Sequence, residues 1–312
     1  MPNRNQRGMQ PSQSTTRRRH PADATFAEWV AADGWCLRRM ELPASGAPRG
    51  ALLFAGGRGD FIEKNIEPAL HWQSRGWRVT MFDWRGQGGS AGTIRRGHLL
   101  SLDPLVADAA DLAGDWRVGA AGPHVVIGHS MGGHVLLRML TERPVPVDAA
   151  VLVAPMICVN THPLPVPLAR VVARIAAALA PELPMPGRSP IERQRFLTAC
   201  EERFADEAWW KAREPAYDLG PPTWGWLDAA LRSSARLTDD ALARVHVPTL
   251  ILGAERDRLV SAMAIRRAAA ALSGAELHMF REAAHELLRE ADPVRTAVLA
   301  RIDAFLDRVV AA

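Results

Sequence analysis

The run His124-Val125-Val126-Ile127-Gly128-His129-Ser130-Met131-Gly132-Gly133-His134-Val135-Leu136-Leu137 decides how this chain folds. Its first four residues are an apolar, β-rich stretch, residues 128–132 read G-x-S-x-G, and residues 134–140 carry a helical apolar pattern. Strand, sharp turn and helix therefore follow in order. A turn of that kind lifts a serine hydroxyl clear of the backbone. Side chains two positions to either side would collide with neighbouring elements, which accounts for Gly128 and Gly132, and Gly133 adds room. The bland alternative is a small-residue turn packing helix on strand. The strand and helix on either side weigh against it.

Outward from that run, apolar segments at 35–42, 51–55, 77–83, 124–128, 149–154, 249–253 and 275–280 read as strands. They alternate with helical patterns near 63–75, 104–116, 131–142, 262–272 and 293–310, the signature of βαβ units around a mostly parallel sheet. Several strands are continuous apolar runs, as expected where helices cover both faces. The order of strands in the sheet does not follow from these patterns. The predicted organisation is α/β, with 25–155 and 243–312 as the core and 1–24 as a polar, disordered arm. Between them 156–242 forms a helical insertion with tryptophans at 209, 210, 224 and 226. Within it the run 165–180 (PVPLARVVARIAAALA) reads as a helix packed inside the insertion, a membrane-surface helix being the alternative.

A serine hydroxyl is a weak nucleophile. It needs a base within hydrogen-bond reach, and the base needs an acceptor that holds its tautomer. After a nucleophile turn the expected chain order is Ser, acid, His. Asp257 lies just beyond the strand at 249–253, and His285 just beyond the strand at 275–280. Carboxyl ends of parallel strands share one rim, so Ser130, Asp257 and His285 are predicted to converge. Glu255 competes with Asp257, while His129, His246 and His278 are poorer candidates for the base. A tetrahedral oxyanion also needs backbone donors. Met131 N–H, at a helix N-terminus, is one; the second is expected from the loop Ala55-Gly56-Gly57-Arg58-Gly59-Asp60. That loop lacks G-K-[ST] and G-x-G-x-x-G, which argues against nucleotide binding.

With these residues in view, the chain resembles the α/β-hydrolase superfamily, and within it the bacterial lysophospholipase and monoacylglycerol-lipase-like branch. The motifs are FAGGRGDFIEK (54–64), FDWRGQGGS (82–90), RGHLLSLD (96–103), GHSMGG (128–133), LILGAERDRLV (250–260) and AAHELLRE (283–290). The resemblance implies an eight-stranded, mostly parallel sheet flanked by helices, with an inserted helical lid after the sixth strand. It implies Ser130, Asp257 and His285 as catalytic triad, with Met131 and Arg58 as oxyanion donors and Gly57 as the fallback. Many relatives have His-Gly where this chain has Gly56-Gly57. Asp83 and Arg85 resemble a second acid/base pair, but a strand-end Asp before Arg-Gly-x-Gly more simply orders its own turn.

Composition bounds the rest. The chain has 312 residues, 48% hydrophobic and 23% charged, and a formal charge of +4. Five arginines and no acids fall within residues 1–20, which leaves the other 292 at −1. The folded body gives no basis for a nucleic-acid partner. Cys36, Cys158 and Cys200 are widely spaced, so neither a disulfide framework nor a zinc site is expected. No run reaches the ~18 apolar residues of a membrane span. The N-terminus has charge without an apolar core, against a secretory signal. The expectation is a cytoplasmic serine hydrolase that cleaves carboxylic esters through an acyl-enzyme, without cofactor or metal, on an acyl ester or lysolipid. The arm would add weak, salt-sensitive attraction to the inner membrane face, and the Arg58 side chain would contact a lysolipid phosphate. A broad carboxylesterase, a thioesterase, a peptidase and a non-catalytic binding protein of the same fold stay open.

Overall fold

The computed structural model describes residues 16–311 apart from 91, 93, 94, 144 and 188. The strands are β1 (Thr25–Val30), β2 (Cys36–Leu42), β3 (Gly50–Ala55), β4 (Trp77–Phe82), β5 (His124–His129), β6 (Ala149–Val153), β7 (Thr249–Ala254) and β8 (Glu276–Phe280). They form one eight-stranded sheet in the order β1-β2-β4-β3-β5-β6-β7-β8, parallel from β4 to β8, with β1 and β2 antiparallel at one edge. Every residue of β3, β5, β6 and β7 is buried. Alternate side chains feed two cores: Leu53, Val126, Leu152 and Ile251 on one face, Phe54, Ile127, Val153 and Leu252 on the other. That is the physical content of the unbroken apolar runs.

Around the sheet lie α1 (Ile66–Ser74), α2 (Asp103–Val118), α3 (Met131–Glu142), α9 (Ala262–Ala271) and α10 (Asp292–Ala311). Between β6 and β7 the chain leaves the sheet through α4 (Val166–Leu179), α5 (Pro190–Leu197), α6 (Glu201–Arg213), α7 (Trp224–Ser234) and α8 (Asp239–Leu242). The sheet order reverses between β3 and β5: β4 lies to one side of β3, and the chain then crosses to pair β5 on the other. At such a switch point the loops leaving the two strands part and open a crevice at their carboxyl ends. Ala55 stands in register with Gly128, so the glycine loop after β3 and the turn after β5 must emerge side by side.

Two expectations are corrected. The arm predicted as disordered over 1–24 is docked from residue 16 onward; residues 1–15 lie outside the described residues. Arg17 is buried, ion-paired with Asp206 and Glu202 of α6, and its carbonyl accepts from Trp210 Nε1 at 3.0 Å. His20 reaches Glu63 at 2.9 Å. The partners are acids far along the chain, so nothing local in the polar segment announced the order. Strand β1 was likewise missing from the strand pattern, because it is a short edge strand of mixed apolar and polar residues, five of its six exposed. Second, α4 does not bury its apolar stripe. Only Ala169 and Ala173 are buried, while Leu168, Val171, Ile175 and Leu179 are exposed.

Candidate active site

Ser130 occupies the turn between β5 and α3 with φ 52° and ψ −115°, in the left-handed region that a side chain rarely adopts. The surroundings hold it there: Ser130 N–H donates to Val153 O at 3.0 Å, and its carbonyl accepts from His134 N at 3.0 Å and Met156 N at 2.9 Å. The glycines make the turn fit. A Cβ on Gly132 would lie 2.2 Å from Ala55 O, one on Gly128 2.7 Å from Gly133 Cα, and one on Gly133 2.9 Å from Gly128 O. Each contact is with backbone, which cannot swing aside.

Asp257 and His285 come from the loops after β7 and β8, on the same rim. His285 Nδ1–H donates to Asp257 Oδ2 at 2.7 Å, which leaves Nε2 to accept from Ser130 Oγ–H at 2.8 Å. The other carboxylate oxygen, Oδ1, accepts from Leu259 N at 2.8 Å and Val260 N at 3.0 Å. Both groups are buried. Burial alone would push the Asp257 carboxyl up, but His285 and the two amides outweigh it and hold it below the ordinary carboxylate range. Burial likewise opposes a charge on His285, yet Asp257 outweighs it and raises the imidazole above its usual value. An imidazole so placed can accept the serine proton and, once charged, is stabilised where it stands.

The other candidates sit elsewhere. Glu255 pairs with Arg266, His278 packs on Phe280 along β8, and His246 is exposed before β7. His129 turns its Nδ1 to Asp60 Oδ2 at 3.0 Å rather than to Ser130. Asp83 accepts from Ile62 N and Gly89 N, each at 2.8 Å, and is ion-paired with Arg38, while Arg85 pairs with Asp108 and Asp33. Asp83 and Arg85 thus brace turns away from the serine.

On the other side of Ser130 runs the loop after β3. A Cβ on Gly57 would lie 3.1 Å from Ser130 Cβ, tighter than an ordinary contact, so glycine suits so near a passage. Asp60, which the sequence did not single out, shapes that loop. Its Oδ2 accepts from Gly57 N–H at 2.6 Å, and its Oδ1 is 2.7 Å from Lys64 Nζ. Lys64 is also 2.6 Å from Glu286, the residue after His285, and 3.1 Å from Glu207 of α6. Burial works against the Asp60 charge, but Lys64 and His129 hold the carboxyl well below its ordinary value. Trp84 Nε1 donates to Gly56 O and Gly59 N–H donates to Gln87 Oε1, both at 2.7 Å, pinning the loop's two ends. Only a residue order such as G-x-x-D could have hinted at Asp60, since the acids Glu207 and Glu286 that complete its Lys64 network, and His129, lie on separate elements. Neither Met131 N–H nor Arg58 N–H has an acceptor among the described residues. No group of His, Cys, Asp and Glu arranged to hold a metal occurs among them either.

Comparison with known proteins fits this geometry. The model of the family described as serine aminopeptidase, S33, matches residues 46–292. The chain is 27% identical over 277 residues to the probable lysophospholipase L2 of Haemophilus influenzae, covering 86% of this chain and 87% of that protein. It is 26% identical over 236 residues to the monoacylglycerol lipase of Mycolicibacterium smegmatis, covering 74% and 79%. A solved soluble variant of the Saccharomyces cerevisiae monoglyceride lipase superposes with a TM-score of 0.76 at 16% identity, over 94% of this chain and 96% of that one. With the family model spanning both halves of the sheet and the loops that carry Ser130, Asp257 and His285, the chain belongs to the serine aminopeptidase S33 family and is an α/β-hydrolase.

Proposed function

We propose that this chain hydrolyses the acyl ester of a lysophospholipid or a monoacylglycerol, with Ser130 as nucleophile, His285 as general base and acid, and Asp257 as the group that orients and stabilises the imidazole. The observation that carries this reading is the unbroken hydrogen-bonded chain Ser130 Oγ–His285–Asp257. His285 Nε2 takes the hydroxyl proton as Oγ attacks the ester carbonyl. The imidazolium then gives that proton to the departing alcohol as the acyl-serine forms. Water, deprotonated by the same nitrogen, attacks the acyl-serine and releases the fatty acid. The oxyanion is received by the N–H groups of Met131 and Arg58. Gly57 N–H is already donated to Asp60, which supports Arg58 over Gly57 as the second donor. The helices between β6 and β7 act as a cap: Phe196 O and Leu197 O, at the end of α5, accept from His285 N and Glu286 N at 3.3 and 2.7 Å, directly over the base.

An acyl ester is favoured over an aminoacyl substrate by charge. A free α-ammonium needs an uncommitted carboxylate, but Asp60, Glu207 and Glu286 are all bound to Lys64. The exposed face of α4 suits a lipid surface as the source of substrate. Leu168, Val171, Ile175 and Leu179 face outward, Arg170 and Arg174 stand among them, and the helix has no acid. A fluorophosphonate probe tests the core of the proposal: wild type is expected to label and Ser130→Ala is not. A folded wild type that stays unlabelled rules the reading out. A chain-length series of esters, run beside a thioester and an aminoacyl amide, separates the lipid-ester reading from the other acyl-transfer readings.

A further inference from the structure

Resting on that reading, the structure assigns the Arg58 guanidinium as an anion-binding subsite for the phosphodiester of a lysophospholipid headgroup, which we propose as the feature that favours this substrate over an uncharged monoacylglycerol. The large buried arginines of this chain are otherwise paired: Arg17 with Asp206, Arg85 with Asp108, Arg138 with Asp103 and Glu142, Arg203 with Glu67, Arg289 with Glu286. Arg58 forms no ion pair among the described residues. Its Nη1 donates to a backbone carbonyl, Gly220 O, at 3.2 Å, and its Nε and Nη2 are buried without any hydrogen-bond partner. The plane lies over Trp226 of α7, 5.2 Å from the ring centroid.

A buried cation without an anion is costly to keep, and here the surroundings add to the cost rather than relieve it. Burial, with Arg193 as a second cation acting on the group, draws the guanidinium down to about 10. Packing on Trp226 accounts for the orientation of the plane but gives no partner to Nε and Nη2. A phosphodiester does, because two adjacent guanidinium nitrogens match two phosphate oxygens.

Position points to the same ligand. The backbone of Arg58 stands beside Ser130, next to Gly57. In a lysophospholipid the phosphorus follows the ester oxygen by a few bonds, roughly 6 Å, about the span of an arginine side chain. A headgroup whose ester lies at Ser130 therefore carries its phosphate to the guanidinium. The cover over the two nitrogens consists of Leu219, Gly220 and Trp226 from the segment between β6 and β7 together with the turn at Gly97. Because this cover closes over Nε and Nη2, seating the phosphate there and withdrawal of that segment go together.

The test uses the full chain, a lysophosphatidylethanolamine and a 1-monoacylglycerol with the same acyl chain, in the same mixed micelles. The quantity read is the ratio of kcat/KM on the phospholipid to kcat/KM on the neutral lipid. Arg58→Ala keeps the backbone N–H and is expected to lower that ratio about 10- to 100-fold, the worth of a charge-assisted bidentate contact. Arg58→Lys, which keeps charge but not the fork, lowers it less, and it carries the comparison if Arg58→Ala does not fold. An unchanged ratio in both variants, with both substrates falling together, means that Arg58 only packs the loop and overturns the proposal. Inorganic phosphate is the second arm. If it slows wild type on both lipids, spares Arg58→Ala and leaves the ratio unmoved, the site takes a free anion and the headgroup assignment fails. A wild type that labels with fluorophosphonate but cleaves neither lipid removes the lipid-ester reading itself, and this one with it.

Discussion

Replacing Gly132 by alanine separates the two sides of the proposed oxyanion site without touching a proposed reacting group. The new Cβ would lie 2.2 Å from Ala55 O and 2.5 Å from Gly56 O, both backbone atoms at the end of β3. Restoring an ordinary contact of roughly 3.5 Å pushes α3 and that strand end about 1 Å apart. Met131 N–H rides on α3 and Arg58 N–H on the loop, so the gap between the two proposed donors widens by a similar amount. Overpacking of this kind costs about 1–3 kcal/mol, and a misplacement of about 1 Å costs on the order of 100-fold in rate. The expected outcome is a melting temperature lowered by about 3–10 °C, with kcat/KM on a short soluble ester and the rate of fluorophosphonate labelling both down on the order of 100-fold. Differential scanning fluorimetry and steady-state kinetics read the two effects. A variant that melts with wild type and keeps activity within about threefold would refute the claim that residue 132 must be glycine for close backbone approach.

Four further outcomes are expected. Gly114, in the interior of α2, has nothing within 4 Å of the place a methyl group would take, so Gly114→Ala should raise the unfolding free energy by about 0.5–1 kcal/mol in urea titration; a loss would show that the packing there is misread. Because Asp257 raises the imidazole and a general base must be neutral, the acid limb of kcat/KM should have its midpoint above the ordinary histidine value of about 6.5, and Asp257→Asn should move it down while cutting the rate on the order of 10⁴-fold; a midpoint that ignores the substitution would disprove the coupling. The same raised value means that His285 adds stability below its unfolded-state value and loses it as pH climbs through the folded one, so the melting gap between wild type and His285→Gln should shrink on going from acid to alkaline buffer. Asp60→Asn removes the carboxylate that links Gly57 N–H to Lys64, and should lower kcat on a neutral ester about 10- to 100-fold with little change in KM; an unaltered kcat would mean the loop holds its shape without that charge.

Chemistry-bearing residues differ in how legible they were. Ser130 was visible because three glycines, a strand and a helix all lie within a dozen residues of it. Asp257 and His285 stood out by their place just after strand ends, a position that parallel topology sends to one rim. Asp60 and Lys64 did not, since an acid and a lysine four apart look like any solvated pair; their meaning comes from His129, Glu207 and Glu286, which other elements deliver. Arg58 could be named from the loop, but that its guanidinium is buried without an anion depends on Gly220 and Trp226, some 160 residues further on.

By itself, then, the amino-acid order determined the α/β class, the strands of the core and the strand–turn–helix around Ser130, because apolar periodicity and glycine sterics act over neighbouring residues. It also set five arginines and no acid within the first 20 residues. Only the tertiary structure decided the sheet order that places β3 beside β5, the docking of Arg17 and His20 onto α6 and Glu63, and the outward face of α4. Those outcomes rest on ion pairs and burial between residues distant in sequence. Such contacts are chosen by the packing of whole elements, and no local pattern encodes them.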